Sequence, residues 1–180
     1  MINGIAYAQS ESSEMQEVEV LQAPGSESME ELVSKLNEIG VGQVQFSGGE
    51  PLLRVDDLIS VLSRTNNNIE YWVNTSGHGL TMENAKKLHD AGLTGVLISL
   101  DHFDEEKHNL FRGHKNAFHW AMQAVNNALE NKLIPAFSIC VTKSFATREN
   151  LIRYATLAKE LGVYFIQILV LNNFSFLKIR

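Results

Sequence analysis

Helical and strand signals alternate along this chain at nearly even spacing, and few folds can use such a pattern. Apolar, β-branched stretches at 42–47, 69–74, 95–100, 134–141 and 163–170 read as strands whose starts lie 27, 26, 39 and 29 residues apart. Helical periodicity fills the intervals at 55–65, 81–91, 104–111, 115–131 and 147–161, with Gly92 and Gly162 as stops. A capping box, Ser28-x-x-Glu31, opens a further helical run through Met29, Leu32, Val33, Leu36 and Ile39, ended by Gly40. Each strand thus follows a helix. Parallel neighbours require a crossover of this length, so the prediction is an α/β fold in which helices cover a parallel sheet. An open doubly wound sheet and a curved barrel segment both satisfy it. In either, ligands bind beyond the carboxyl ends of the strands, which directs attention to the residues just after each one.

The 180 residues, 44% hydrophobic, suffice for one compact domain. We divide them into an acidic segment, 1–28, read as loop or partly disordered, and a partial barrel, 29–180. The first rests on a Ser- and Glu-rich stretch at 9–28 containing Pro24-Gly25, without a clear period. Apolar runs reach about ten residues, against roughly 20 for a bilayer span, so no membrane association is expected. The first residues lack the basic start of a secretory or transit peptide, and a cytoplasmic location is expected. Net charge is −6, but residues 1–34 carry seven Glu and no Lys or Arg, while 35–180 hold 14 acids and 15 bases. The near-neutral remainder offers no footprint for a phosphate backbone, so a nucleic-acid partner is not expected. Cys140 is the one cysteine, which excludes an internal disulfide.

The richest stretch is Ser47-Gly48-Gly49-Glu50-Pro51 at the end of the first strand of the repeat. Two glycines let a ligand approach the backbone, Pro51 stiffens the exit, and Glu50 adds a negative charge suited to an ammonium group. A tight βα turn explains the glycine pair equally well on its own.

With these residues in view, the chain resembles the radical S-adenosylmethionine (SAM) superfamily, whose GGEP motif stands here as Gly48-Gly49-Glu50-Pro51. Val73-Asn74-Thr75-Ser76-Gly77 is similar to the family's TNG-type strand ending. The stretch from Val96 through Ser99, Leu100 and Asp101 is similar to the next strand, and His108-x-x-x-Arg112-Gly113 to its HDxxRG-like segment, with Asn109 where Asp is usual. The likeness spans about residues 29–170. It implies a TIM-barrel-like partial (βα) barrel that reductively cleaves SAM to a 5′-deoxyadenosyl radical. By the same resemblance Ser47, Gly48, Gly49, Glu50, Pro51, Asn74 and Ser76 belong to a small-molecule cofactor site, in which Gly48, Gly49 and Glu50 receive the methionine amino group. Ser99 and Asp101 face the ribose or carboxylate, and Arg112 counters the carboxylate.

The resemblance also implies a [4Fe-4S] cluster held by three thiolates in C-x-x-x-C-x-x-C, and this chain has no such triad. Ala6-Tyr7-Ala8, 42 residues before Gly48, sits where the third of those cysteines is expected, or matches by chance. A fragment missing its first strand and cluster loop, and a cysteine-less paralogue that serves as a cluster-free SAM-binding module, are both open. The apolar end at 171–180, without a closing helix, is read as favouring the fragment. An unrelated barrel for a phosphorylated metabolite lacks a Gly-rich phosphate cradle.

Other residues have plainer expectations. His102, His108, His114 and His119 are spaced six, six and five apart, which does not gather them on one helical face as metal ligands. Asp104, Glu105 and Glu106 suit helix capping and the dipole better than acid catalysis. Cys140, inside an apolar strand, is expected in the core, and Trp72 and Trp120 are expected to pack.

Overall fold

The computed structural model describes residues 5–9, 15–19, 38, 41–64 and 69–170. Five strands form one parallel sheet: β3 (Gln43–Phe46), β4 (Glu70–Thr75), β5 (Gly95–Ser99), β6 (Ile134–Val141) and β7 (Ile166–Val170). They are neighbours in strict sequence order. Such an order contains no reversal, so right-handed crossovers stack every helix on the same side. The sheet then curls around its other face as part of a barrel. This settles the choice that periodicity left open in favour of the partial barrel.

The helices are α1 (Val55–Leu62), α2 (Met82–Asp90), α3 (Glu105–Arg112), α4 (Ala117–Glu130) and α5 (Arg148–Glu160), with a 3-10 turn at Pro51–Arg54. Their starts follow local chemistry. Thr81, Asp104 and Thr147 each accept a backbone N–H three residues on, as N-caps do. Asp104 is therefore a capping residue, as expected. Helix α3 ends at Gly113, whose φ of 66° and ψ of 21° place it in the left-handed region. The capping box at Ser28 and most of the helical run after it lie outside the described residues.

Period two sorts the strand residues into two faces. Toward the helices, Tyr71, Val73, Val96, Ile98, Phe137 and Ile139 pack with Leu58, Leu88, Ala121 and Val125 in the main core. On the other face Trp72, Leu97 and Ala136 form a smaller apolar cluster with Ile134 against it. The Trp72 ring meets Phe165 edge to face at 5.3 Å between centroids.

One expectation is corrected. Residues 9–28 do not form a continuous loop: β2 (Met15–Glu19) pairs antiparallel with β1 (Ile5–Gln9), Ile5 opposite Glu19 and Gln9 opposite Met15. The missed signal is Glu17-Val18-Glu19-Val20, a two-residue alternation hidden by the surrounding Ser and Glu. Ala6 consequently lies within a hairpin strand and not in the parallel sheet.

Candidate functional site

The inner face of the sheet changes character along each strand. Two residues beyond Trp72 on the same face is Asn74; beyond Leu97 is Ser99; beyond Ala136 is Ser138, followed by Cys140. The first member of each pair belongs to the apolar floor, and the second lines a cleft of about 360 Å³ at the carboxyl end. Ser99 and Ser138 are direct partners across β5 and β6. The cleft also takes in Ser47, Gly48, Gly49, Glu50, Ser76 and Arg112, so the sequence motifs after three different strands meet in one place.

The glycine loop has a conformational reason for its composition. Gly48 has φ 102° and Gly49 φ 48°, backbone that side-chain-bearing residues seldom adopt. A Cβ built on Gly49 meets nothing within 4 Å, so the loop is open toward the cleft. Pro51 is buried below it at the start of the 3-10 turn and does not line the cleft.

Glu50 is already fully employed. Its Oε1 accepts Leu52 N–H at 3.2 Å and Thr75 Oγ–H at 2.7 Å. Its Oε2 accepts Ser76 N–H at 2.9 Å and Ser76 Oγ–H at 2.5 Å. Four donors saturate a carboxylate, so Glu50 staples the loop after β3 to the end of β4, and a direct ammonium contact would have to displace one of them. The residues lining the cleft also bring to it the backbone of the glycine loop and Asn74, with its Oδ1. The latter is buried with no hydrogen-bond partner among the described residues. Glu50→Gln puts an amide N–H₂ against donors from Leu52 and Thr75 or from Ser76. A loss of about 1–3 kcal/mol is expected in urea unfolding. Unchanged stability would show that the staple is not formed in solution.

Opposite the glycine loop, Asp101 and Arg112 form an ion pair, Oδ2 to Nε 2.6 Å, with the Asp101 side chain 1% exposed and Arg112 31%. Asp101 Oδ1 accepts the Cys140 N–H at 2.9 Å. Asp101 lines a neighbouring cavity of about 400 Å³ with His102 and Phe145, and does not line the glycine-loop cleft; Arg112 does. Asp101, expected to face the ligand, is thus set in the neighbouring cavity, while Arg112 lines the cleft. The β5 exit is braced further. Asp101 N–H donates to His108 Nδ1 at 3.1 Å, and Tyr154 O–H donates to Leu100 O at 2.5 Å. His108 is buried, and burial pushes its pKa down to about 4, so it is neutral with its proton on Nε2.

Two residues were misjudged or missed. Cys140 is half-buried and lines both cavities, contrary to the expected core position. Burial, aided by the Asp101 carboxylate, pushes its thiol pKa up, which keeps it protonated. Ser138 escaped notice, although a serine in register with Ser99 on an otherwise apolar strand was the available signal. Among the described residues no group of three or more His, Cys, Asp or Glu could hold a metal ion. Trp120 packs as expected, between His114 (4.1 Å, stacked) and His78 (4.5 Å, edge-on).

The family model of the Radical SAM superfamily matches residues 20–158. The chain belongs to that superfamily. Among relatives of this radical SAM chain, an AdoMet-dependent heme synthase of Methanosarcina barkeri (strain Fusaro / DSM 804) is 32% identical over 130 residues, 72% of the chain and 37% of the relative. A GTP 3',8-cyclase of Trichodesmium erythraeum (strain IMS101) is 38% identical over 98 residues, 51% of the chain and 30% of the relative. In fold it is similar to Streptococcus suis SuiB, with TM-score 0.67, 16% identity, and 81% of the chain and 33% of SuiB covered. It is also similar to anSMEcpe with bound AdoMet, with TM-score 0.62, 22% identity, and 83% and 44% covered. The chain spans about a third of the length of the curated relatives it matches.

The two groups associated with this family fare differently here. The cleft fits SAM: it offers an open glycine backbone, an orphaned buried acceptor in Asn74 and a cation in Arg112 for the two charged ends of an amino acid. The chain does not fit the cluster, because one cysteine with a raised pKa cannot replace three thiolates. Among the described residues no helix is long and apolar enough to cross a membrane.

Proposed function

We propose that the cleft is the SAM site of a radical SAM enzyme, contributing to reductive cleavage of SAM. The observation that carries this is the pair of positive-φ glycines facing Arg112 across one opening. In this reading the carbonyls of Gly48 and Gly49, with Asn74 Oδ1, receive the ammonium group of the methionine moiety. Arg112 receives its carboxylate, and Ser99 and Ser138 serve ribose hydroxyls. Glu50 and Ser76 hold the glycine loop in place, and Trp72 with Leu97 closes the floor to water. SAM, when bound, would supply a sulfonium whose cleavage to methionine and a 5′-deoxyadenosyl radical takes one electron from a [4Fe-4S] cluster, for which residues 1–180 hold a single cysteine. The relatives' reactions, GTP cyclisation and heme synthesis, differ from one another and select no substrate here. We place the protein in the reducing cytoplasm, in keeping with such chemistry.

Titration of SAM into the chain and into Gly49→Val tests the site. At φ 48° a β-branched residue strains the loop although space is open, so a loss of SAM binding of at least tenfold is expected, with folding checked by circular dichroism. Equal affinity for both proteins would remove the glycine loop from the site.

The single cysteine favours a second reading, a cluster-free SAM-binding module. Anaerobic incubation with iron, sulfide and reductant separates the two. We expect residues 1–180 to assemble no stable [4Fe-4S] cluster, and near-stoichiometric iron and sulfide with a cluster Mössbauer spectrum would refute this.

A further inference from the structure

We propose that Asp101 is the positioning residue for Arg112: a buried carboxylate that aims the guanidinium into the cleft and thereby sets recognition of the carboxylate end of SAM. The proposal rests on the SAM reading above, and assigns Asp101 no ligand contact of its own.

Asp101 Oδ1 accepts the Cys140 N–H at 2.9 Å, and Oδ2, buried without a hydrogen bond among the described residues, is paired by charge with Arg112, 2.6 Å from its Nε. A carboxylate 1% exposed is costly to leave unpaired, so the arrangement holds only while the guanidinium stays. The attachment of Asp101 is rigid. Its N–H is taken by His108 from α3, the preceding carbonyl by Tyr154 from α5, and its side chain by the β6 backbone. Three elements therefore fix one carboxylate, and that carboxylate fixes one arginine. Arg112 sits in the last turn of α3, where the carbonyls at a helix end would otherwise attract it. Pairing by charge at Nε leaves the two terminal guanidinium nitrogens to meet an anion, and Arg112 is the cation lining the cleft beside Ser99 and Ser138. A lysine lacks the second edge and could not pair with Asp101 and an anion in the same way.

Asp101→Asn separates aiming from mere structure, because its amide oxygen can still accept the Cys140 N–H while the charge facing Arg112 is gone. The first readout needs no ligand. In the wild-type ¹H–¹⁵N spectrum the Arg112 Nε–H, identified by its loss in Arg112→Lys, should be resolved and slow to exchange with water. In Asp101→Asn it should join the averaged signals of exposed arginines. The second readout compares SAM with decarboxylated SAM by chemical-shift titration up to millimolar ligand. Asp101→Asn and Arg112→Lys should each weaken SAM at least tenfold and leave the decarboxylated analogue within twofold. Asp101→Asn combined with Arg112→Gln should bind SAM no more weakly than Arg112→Gln alone.

An averaged Arg112 signal in the wild type overturns the proposal, as does an equal loss on both ligands in Asp101→Asn. If Asp101→Asn fails to fold, the wild-type spectrum and the ligand selectivity of Arg112→Lys decide the same question. If the wild type binds neither ligand while its Arg112 Nε–H stays protected, the SAM reading falls and the pairing of Asp101 with Arg112 stands.

Discussion

Gly95→Ala is expected to destabilise the domain by about 3 kcal/mol, one of the largest costs of a single added methyl in this structure. A Cβ at Gly95 would lie 2.5 Å from Ile134 O on β6 and 2.5 Å from Cζ3 of the Trp72 ring. Neither neighbour can yield cheaply. The carbonyl belongs to the adjacent strand, and Trp72 is 4% exposed, wedged against Leu97, Ala136 and Phe165. Gly95 is thus the gap in β5 into which Trp72 lies to form the floor of the cleft. Gly113→Asn is the control, because its φ of 66° is one Asn tolerates and nothing lies within 4 Å of its Cβ position. That variant should cost no more than about 1 kcal/mol. Urea unfolding of both measures the contrast. Equal losses would mean that close packing of Trp72 on Gly95 is not present in solution.

The second large effect is expected in acid. His108 has its pKa pushed down to about 4 by burial, from an ordinary 6.5. Between those values the unfolded chain takes up a proton that the folded chain refuses, so stability falls as pH falls. The contribution is complete above pH 6.5 and is lost progressively down to about pH 4, a change of about 3 kcal/mol. Protonation also removes the Nδ1 acceptor of the Asp101 N–H, which frees the segment that holds Arg112. His108→Asn keeps a neutral acceptor and does not titrate in this range. Urea unfolding at pH 7 and pH 4 should show the wild type losing about 3 kcal/mol more than His108→Asn, whose cavity cost is independent of pH. Parallel losses in the two proteins would show that His108 is not buried neutral.

Much of the fold was legible because its signals are local. Parallel strands covered by helices must repeat apolar strand, turn and amphipathic helix, and Gly92, Gly113 and Gly162 punctuate the repeat where the chain needs positive φ. The cleft was legible to the same degree, since a parallel sheet places all its carboxyl ends together and the motif residues follow those ends. The hairpin of β1 and β2 was not, because alternation over a few residues is lost among serines and glutamates that carry no pattern of their own. Cys140 and Ser138 were not, because an inner face and a helix-facing face are both apolar along most of a buried strand, and only the curl of the sheet decides which face opens to a ligand.

The sequence by itself determined the alternation of strands and helices, the glycine loop and the absence of a cysteine triad, all of which follow from residue type and spacing. The tertiary structure alone decided which charges remain available in the cleft. Glu50 and Asp101 look alike in the sequence, two carboxylates at strand ends facing a common opening. In the folded chain Glu50 is saturated by donors from Leu52, Thr75 and Ser76, and Asp101 is held by the Cys140 N–H and the charge of Arg112. Those partners lie up to 39 residues away, and a buried carboxylate takes whichever donors the packing brings to it. No local pattern can specify that choice, because the desolvation that enforces it exists only once the strands and helices have met.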